Sequence, residues 1–340
     1  MTNPYFSPHS TPSPERESLF IKREGKEKLL TALRQMLLIR HFEIRGESAY
    51  QHGLVGGFYH SYIGQEAIAV SAIQAFGTEN WYSTTYRCHA HALLLGATAE
   101  ELMAELYGKA TGNAKGRGGS MHLYTDHLLG GFGIVGGHLP IALGAAFSLK
   151  YLKKRGASIC FLGEGACAQG AYHETLNLAS LWKLPLIIII ENNQWGMGTH
   201  VSRALATDKI AEKQAPAYGI KGYTLDGMDY FNCFEGFSHI YKEVLETGKP
   251  ILVECVCERF KGHSISDPAS YRGKEALQAL LQRDPLLHLK EVLEKNNLLN
   301  EAEFKKIDQH IKQEILDAMK TAENSPWPSL ATLEEGVYAP

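Results

Sequence analysis

Long apolar runs, an excess of one charge and paired cysteine motifs are all missing from this sequence. No window of the 340 residues approaches the roughly 18 consecutive apolar residues of a membrane-spanning helix. The net charge of -3 gives no sign of the basic surface that nucleic acids require. We therefore expect neither a membrane nor a nucleic acid as partner.

The six cysteines contain no C-x-x-C motif, and nothing in their spacing suggests a disulfide-bonded secreted protein. Cys255 and Cys257 lie two positions apart in the strand-like stretch "ILVECVCERF". Side chains at that spacing share one face of a strand. We expect buried thiols that behave as small apolar side chains.

The first residues also lack the features of a targeting segment. "MTNPYFSPHSTPSPERES" is rich in proline and serine and has no basic residue before Arg16, unlike a signal or transit peptide. We predict a disordered tail over residues 1–20, a single α/β domain with helical flanks over 21–325, and a C-terminal extension over 326–340. A cytoplasmic bacterial protein is the expectation, and a processed organellar protein is the alternative.

What the sequence does contain is a regular alternation of helical and strand-like segments. Apolar spacing predicts helices over 26–53, 65–77, 97–112, 139–154 and 170–183, and charged helices within 273–323. Strands are predicted over 158–163, 185–192, 221–227 and 251–260, and the glycine-rich residues 112–138 are predicted to form a loop. The central strands are continuous apolar runs, which indicates a parallel sheet covered by helices on both faces.

The stretch "CFLGEGACAQG" raises the question of which ligand this sheet binds. Gly163, Gly165 and Ala168 fit the G-x-G-x-x-G/A spacing of a dinucleotide fingerprint, but Glu164 places a negative charge where phosphate would lie. At ~4 Å and an effective dielectric of ~20, that repulsion is about 4 kcal/mol. An NAD site with Glu191 on the ribose is one alternative, and a turn whose glutamate faces solvent is another.

A divalent cation resolves this conflict. Glu164 and Asn193 follow two successive predicted strands, and the carboxyl ends of parallel strands meet at one edge of the sheet. Mg²⁺ takes about six oxygen ligands from carboxylates, carbonyls, phosphates and water. We predict Mg²⁺ bound by the Glu164 carboxylate, the Asn193 amide oxygen and the backbone carbonyl of Trp195. The cation would carry a diphosphate at the N-terminus of the helix that follows Gly165.

Five motifs then follow one another in the order of a known family. They are "YRCHAH", "GRGGSMH", "GIVG", "ENNQWGMGT" and "RFKGHSISDPASYR". Together with G-[DE]-G and the later N-N, they resemble the alpha subunits of the decarboxylating component of the pyruvate dehydrogenase complex, from about residue 27 to the C-terminus. The resemblance implies the thiamine-diphosphate-binding α/β fold, Mg²⁺, and oxidative decarboxylation of pyruvate with a lipoyl group as acceptor.

The resemblance also assigns residues to the cofactor. It places Tyr86 and Arg87 against thiamine diphosphate, with the Arg87 guanidinium on the diphosphate, which suits its bidentate geometry. Gly133 and Val135 would lie against the thiamine rings and hold the cofactor in a bent conformation. The backbone N–H groups of Gly165 and Ala166 would bind the diphosphate.

The resemblance places His60 and His263 at the reacting centre. Imidazole suits proton donation and acceptance because it titrates near neutral pH. His263 lies in a polar segment that we expect to be mobile and to order over bound cofactor. Ser264 and Ser270 resemble positions that are phosphorylated in regulated relatives, where a phosphate would block that ordering.

Two positions depart from the family's pattern. Glu164 stands where the family usually has aspartate, so the carboxylate is one methylene longer and the affinity for the metal, or its identity, is expected to differ. His138 lies where a different polar residue is expected, and the sequence assigns it no role.

One required group is missing from the chain, namely a carboxylate for the pyrimidine nitrogen of thiamine diphosphate. In the resembling family it comes from a beta subunit, so we predict an α₂β₂ heterotetramer that serves a dihydrolipoyl acetyltransferase core. The small residues around Ala142 and 144–146 suit close packing between subunits or within the chain. The alternatives are the alpha subunit of an acetoin or branched-chain 2-oxoacid dehydrogenase, and a non-catalytic paralogue that binds thiamine diphosphate.

Overall fold

The computed structural model describes residues 14–338, and a six-stranded parallel sheet forms its centre. The strands are β1 (Trp81–Thr85), β2 (Leu128–Phe132), β3 (Ser158–Gly163), β4 (Leu186–Asn192), β5 (Trp195–Gly196), β6 (Thr199–His200), β7 (Lys221–Asp226) and β8 (Ile251–Val256). The sheet order is β2-β1-β3-β4-β8-β7, and all neighbours are parallel. β5 and β6 form a separate antiparallel hairpin. The predicted α/β fold is confirmed.

Helices cover both faces of the sheet. In chain order they are α1 (Pro14–Glu24), α2 (Lys26–Gln51), α3 (Glu66–Phe76), α4 (His89–Leu94), α5 (Ala99–Leu106), α6 (Leu139–Tyr151), α7 (Gly170–Trp182), α8 (Val201–Ala204), α9 (Ile210–Gln214), α10 (Tyr230–Thr247), α11 (Lys274–Leu281), α12 (Pro285–Lys295) and α13 (Glu301–Asn324). One hydrophobic cluster includes α2, α3 and α10, and the other includes α6 and α7. Within residues 14–338, none of the helices has the length and apolar character that crossing a membrane requires.

The apolar run of β4 shows why the sheet is covered twice. Ile187 and Ile189 belong to the first cluster, whereas Ile188 and Ile190 point to the other face and belong to the second. All four side chains are buried. Each buried isoleucine contributes about 1.5–3 kcal/mol relative to exposure, so both layers of helices are tied to this strand.

The strand register brings two turns together at one edge of the sheet. In the pairing of β3 with β4, Gly163 lies opposite Glu191. The chain therefore leaves β3 at Glu164 and leaves β4 at Asn193 on the same side. The two glycines of these turns approach closely, since a Cβ added to Gly165 would lie 3.7 Å from the Cα of Gly196.

The glycine-rich stretch departs from the predicted uninterrupted loop, because residues 128–132 form edge strand β2. This strand lies so close to α4 that a Cβ on Gly131 would lie 2.5 Å from the Cys88 sulfur. The preceding turn wraps around the buried carboxylate of Glu105. Four backbone N–H groups donate to that carboxylate at 2.7–3.2 Å, those of Ala114, Gly116, Gly118 and Gly119.

The predicted N-terminal tail extends too far along the chain. Residues 1–13 lie outside the described residues, but α1 begins at Pro14. Phe20 is buried, with edge-on ring contacts at 5.0 Å to Phe231 and 5.3 Å to Phe234. Burial of this ring fixes α1 on α10, which a proline- and serine-rich composition does not reveal. The expected buried thiols are confirmed, because all six cysteines are buried and free.

Candidate active site

A cavity of about 950 Å³ opens at the carboxyl edge of the sheet. Every residue that the sequence singles out for cofactor, metal or catalysis lines it: His60, Tyr86, Arg87, Gly133, Val135, Glu164, Gly165, Ala166, Asn193, Trp195 and His263. His60 comes from the segment between α2 and α3, and the others come from the ends of β1, β3 and β4 and from the loops that follow β2 and β8. The topology therefore brings distant motifs to one place, as open parallel sheets do with ligand sites.

Glu164 is a buried carboxylate with incomplete hydrogen bonding. It is the first residue of the 3₁₀ turn Glu164–Ala168, directly after β3, and is 2% exposed. Its Oε2 atom has no hydrogen-bond partner among the described residues. Burial raises the pKa of Glu164 above its usual value. An ionised carboxylate in this position is costly unless a cation compensates it, so the residue fits a metal ligand.

Asn193 and Trp195 lie beside Glu164 in the turn after β4. The Asn193 Nδ2 group donates to Oε1 of Gln65 at 3.2 Å, and its Oδ1 accepts from the Trp195 N–H at 3.3 Å. The described residues contain no group of three or more His, Cys, Asp or Glu side chains that could hold a metal. A cation here would bind mixed carboxylate, amide and carbonyl oxygens, which is the donor set of Mg²⁺ rather than of zinc.

Buried contacts hold this turn from below. The Asn192 amide donates to Glu254 at 2.7 Å, and the same carboxylate accepts from the Ala211 N–H at 3.0 Å. Glu191 accepts a hydrogen bond from the Tyr62 hydroxyl, and burial raises the pKa of Glu191 to about 7. Polar pairs thus fix the end of β4, where both Glu191 and Asn193 line the cavity.

Two buried guanidinium groups lie at or behind the cavity wall. Arg87 donates to the backbone oxygens of Ser61 and of His263, the latter at 3.0 Å. Arg259 is fully buried, and its Nε and Nη1 atoms have no partner within residues 14–338. Burial and the nearby Arg87 charge lower the pKa of Arg259 to about 10. Two cations held together in this way fit an anion such as a diphosphate.

Arg259 was missed at the sequence level. It follows β8 within "ECVCERF", so a charge directly after a buried strand at the carboxyl edge of the sheet was the available signal. Arg259 follows β8 and Glu164 follows β3, so a cation and a carboxylate lie at the same edge of the sheet.

Three rings form the polar side of the cavity. The ring of His60 lies 4.4 Å from that of Tyr86 and 5.2 Å from that of His263, between centroids. Burial, followed by the Arg87 charge, lowers the pKa of His60 to about 2 and that of His263 to about 4. Both imidazoles are therefore neutral at pH 7, whereas the sequence suggested groups that titrate near neutrality. In this state they accept protons and do not donate them from the charged form.

The segment that carries His263 is organised around Asp267. Its carboxylate accepts from the N–H of His263 at 2.6 Å and from the Tyr271 hydroxyl at 2.6 Å. The fold leaves no room for a side chain at Gly262, where a Cβ would lie 2.1 Å from the Asp267 carbonyl oxygen. Sequence reasoning missed Asp267, because its role depends on this turn.

The remaining candidates occupy distinct surroundings. Val135 is 43% exposed, so its side chain is free to contact a ligand. His138 lines the cavity, is buried, and its Nε2–H donates to the Phe161 carbonyl at 2.8 Å. Ser264 is half-buried with its Oγ 3.0 Å from that of Ser266, and Ser270 is exposed. Because His138 immediately precedes α6, its hydrogen bond to Phe161 of β3 anchors the start of that helix.

Comparison with known proteins identifies sequence relatives of this chain. The family described as dehydrogenase E1 component matches residues 34–331. The chain is 40% identical over 315 residues to the pyruvate dehydrogenase E1 component subunit alpha of Rickettsia bellii, with 92% of this chain and 96% of the relative covered. The protein of the same name from Rhizobium meliloti is 40% identical over 313 residues, covering 91% and 89%. The chloroplastic subunit alpha-3 of Arabidopsis thaliana is 38% identical over 322 residues, covering 92% and 75%.

Proposed function

The chain belongs to the dehydrogenase E1 component family, and from this premise we propose that it is the alpha chain of a thiamine-diphosphate-dependent pyruvate dehydrogenase. The observation that carries the proposal is that two buried charges at one edge of the sheet are incompletely hydrogen-bonded: among the described residues, Oε2 of Glu164 and the Nε and Nη1 atoms of Arg259 lack partners. A cation and a polyanion together satisfy both. An NAD site would place Glu164 against phosphate with no metal ion between them.

Different residues around the cavity would bind the metal ion and the diphosphate of the cofactor. Mg²⁺ would be held by Glu164, Asn193 and the carbonyl oxygen of Trp195. The diphosphate would be held by the guanidinium groups of Arg87 and Arg259, and by the N–H groups of Gly165 and Ala166. When bound, thiamine diphosphate supplies the nucleophilic carbon and the electron sink for loss of CO₂ from a 2-oxo acid.

His60 and His263 would manage the protons of the reaction. Their rings are neutral, and Nδ1 of His60 has no partner within residues 14–338. Arg87 is a main cause of the low pKa of both rings after burial. With a diphosphate at Arg87, that charge would be offset, and both imidazoles would have higher pKa values and accept protons more readily. The Asp267 turn keeps His263 facing Tyr86.

Pyruvate is the proposed substrate, and a lipoyl group on a dihydrolipoyl acetyltransferase is the proposed acceptor of the acetyl group. The names of the relatives, pyruvate dehydrogenase E1 component subunit alpha, support pyruvate as the substrate. Branched-chain 2-oxo acids and acetoin are the competing substrates within this class. Because the side chain of Glu164 is longer than the aspartate usual in the family, a chain that binds the cofactor without catalysing the reaction is a further alternative. The assay distinguishes it.

A beta chain would pack on the outer face of α6 and α7. Ala142 and Ala146 face the core, whereas the opposite side of α6 exposes Ile141, Phe147 and Tyr151. Phe147 stacks on Tyr151 at 6.1 Å, and exposed aromatic groups of this kind are typical of protein interfaces. We propose the α₂β₂ assembly with the cofactor at the interface, completed by the beta chain's carboxylate on the pyrimidine ring.

The test is to co-express the chain with its cognate beta chain and assay the purified complex. Decarboxylation of pyruvate should require both thiamine diphosphate and Mg²⁺, and should exceed that of branched-chain 2-oxo acids at equal concentration. Cofactor binding without turnover on any 2-oxo acid would establish the non-catalytic role instead. Absence of thiamine diphosphate binding by the intact complex would refute the proposal.

A further inference from the structure

A fully buried polar network lies behind the cavity, and none of its central side chains lines it. Glu43 on α2, His89 at the start of α4 and Ser120 after the glycine-rich turn form a chain of hydrogen bonds. Their exposures are 0%, 0% and 2%. A carboxylate in such surroundings is retained only where donors compensate it, so the contacts of Glu43 show what it holds.

Three donors converge on the Glu43 carboxylate. The Tyr59 hydroxyl donates to Oε2 at 2.7 Å, and the N–H of Tyr62 donates to Oε1 at 3.0 Å. The Nδ1–H of His89 donates to the same Oε1 at 3.0 Å. Tyr59 and Tyr62 lie on either side of His60. The Glu43 carboxylate therefore holds the segment that carries His60 through two hydrogen bonds, one from Tyr59 and one from Tyr62.

His89 extends the network to a third segment. Its Nε2 atom lies 2.9 Å from Oγ and 3.0 Å from the carbonyl oxygen of Ser120. The hydroxyl is the partner when the ring is neutral, and the carbonyl is the partner when it is charged. Ser120 precedes Met121, which lines the cavity, and His89 follows Arg87 by two residues. One carboxylate thus links three cavity-lining segments.

A glycine in the middle of α2 supports this reading. A Cβ at Gly46 would lie 2.2 Å from the Tyr59 hydroxyl oxygen. Glycine weakens a helix interior, and here it opens the space through which the Tyr59 hydroxyl reaches Glu43. Glu43 lies three residues before Gly46 in α2, and the missing side chain at Gly46 leaves room for the Tyr59 hydroxyl that donates to the Glu43 carboxylate.

We propose that Glu43 is a positioning residue that sets His60 and Arg87 in the geometry of the cofactor site. The proposal rests on the proposed function, since it concerns the same site. Glu43 touches no ligand itself; it acts through Tyr59, Tyr62 and His89. Loss of its charge loosens the segments on both sides of the cavity at once.

The test uses the intact complex with the beta chain and two variants. Glu43→Gln removes the charge while keeping the size, and Tyr59→Phe removes the donor to Oε2 and serves if the first variant fails to fold. Quenching of tryptophan fluorescence, to which Trp195 in the cavity contributes, gives the dissociation constant for thiamine diphosphate at saturating Mg²⁺. Hydrogen exchange of the cofactor-free chain follows residues 58–66, 86–92 and 118–123.

Glu43→Gln is expected to raise the cofactor dissociation constant at least tenfold and to lower kcat at saturating cofactor, with KM for pyruvate within about twofold. Exchange should rise in all three segments. Two controls isolate the effect: Glu27→Gln removes an exposed charge from the same helix, and Leu33→Ala lowers stability through a buried side chain away from the network.

Unchanged cofactor affinity and exchange in Glu43→Gln, or losses no greater than those of Leu33→Ala at an equal drop in Tm, would overturn the positioning role. If the unmodified complex binds no thiamine diphosphate, the proposed function fails separately. Exchange in the cofactor-free chain then decides the positioning role alone: a rise in all three segments supports it, and no rise overturns it.

Discussion

Two buried carboxylates, Glu164 and Glu43, differ in what satisfies them. Glu164 has an oxygen with no partner among the described residues, whereas three donors converge on Glu43. Burial is the same within a few per cent. What differs is whether the folded chain supplies the compensation. A carboxylate that the fold completes is part of the architecture, and one that the fold leaves incomplete is poised for a ligand.

The buried arginines show the same contrast. Arg40 on α2 pairs with Glu66 and with Asp284, the latter at 2.8 Å, and these partners raise its pKa despite burial. Arg259 lies near other cations, and the pKa falls to about 10. Arg40, which has carboxylate partners, therefore joins helices. Arg259, two of whose nitrogens lack hydrogen-bond partners among the described residues, lies by the cavity instead.

The largest expected effect comes from Glu164→Gln. Loss of the proposed metal ligand should lower kcat/KM for pyruvate roughly a thousandfold, about 4 kcal/mol. The cofactor-free chain should not lose stability, because an uncompensated buried charge has been removed. Steady-state assay and thermal unfolding measure the two quantities. A variant with nearly full activity would remove Glu164 from the metal site.

Arg259→Gln tests the buried cation that, like Glu164, the described residues leave incompletely hydrogen-bonded. Removing the proposed charge-assisted hydrogen bond to the diphosphate should raise the cofactor dissociation constant ~10–100-fold, which corresponds to about 1.5–3 kcal/mol. Calorimetric titration with thiamine diphosphate gives the value. Stability of the free chain should be kept or increased, so a marked drop in Tm would show that Arg259 is structural after all.

Glu105→Gln should show the opposite pattern, because its carboxylate is fully used by the glycine-rich turn. Replacing an acceptor of four N–H groups with an amide is expected to cost about 1–3 kcal/mol of unfolding free energy. Denaturant titration measures it. Cofactor affinity should change less than in Arg259→Gln, and Glu100→Gln on an exposed face of the same helix serves as control.

The smallest effect is a pH dependence. The folded-state pKa of Glu164 is raised, so its ionised form costs stability above that pKa and the cost disappears as the carboxyl becomes protonated. Glu164→Gln should therefore be more stable than the unmodified chain at pH 8, and the difference should shrink towards pH 5. Parallel denaturant titrations across this range test it; a constant difference would contradict the shift.

Sequence patterns predicted the parts of the fold that carry a two-sided apolar signature. β3 and β4 were predicted because their runs are buried on both faces. β2 was not, since "LLGGF" contains two glycines and depends on contact with Cys88. The residues that the motifs single out line one cavity, and the roles assigned to them stay predictions. Arg259 and Glu43 escaped notice because their significance depends on partners that only the folded chain brings near.

The turn around Glu105 has a consequence for how the chain assembles. Its donors lie only 9–14 positions from the carboxylate, whereas Glu43 meets His89 across 46 positions and Arg40 meets Asp284 across 244. Short loops close at lower entropic cost and earlier. Amides 114–119 should therefore gain protection in refolding before the contacts of Glu43 with His89 and of Arg40 with Asp284 form. The segment richest in glycine would then be a nucleus, around which the longer-range contacts are completed.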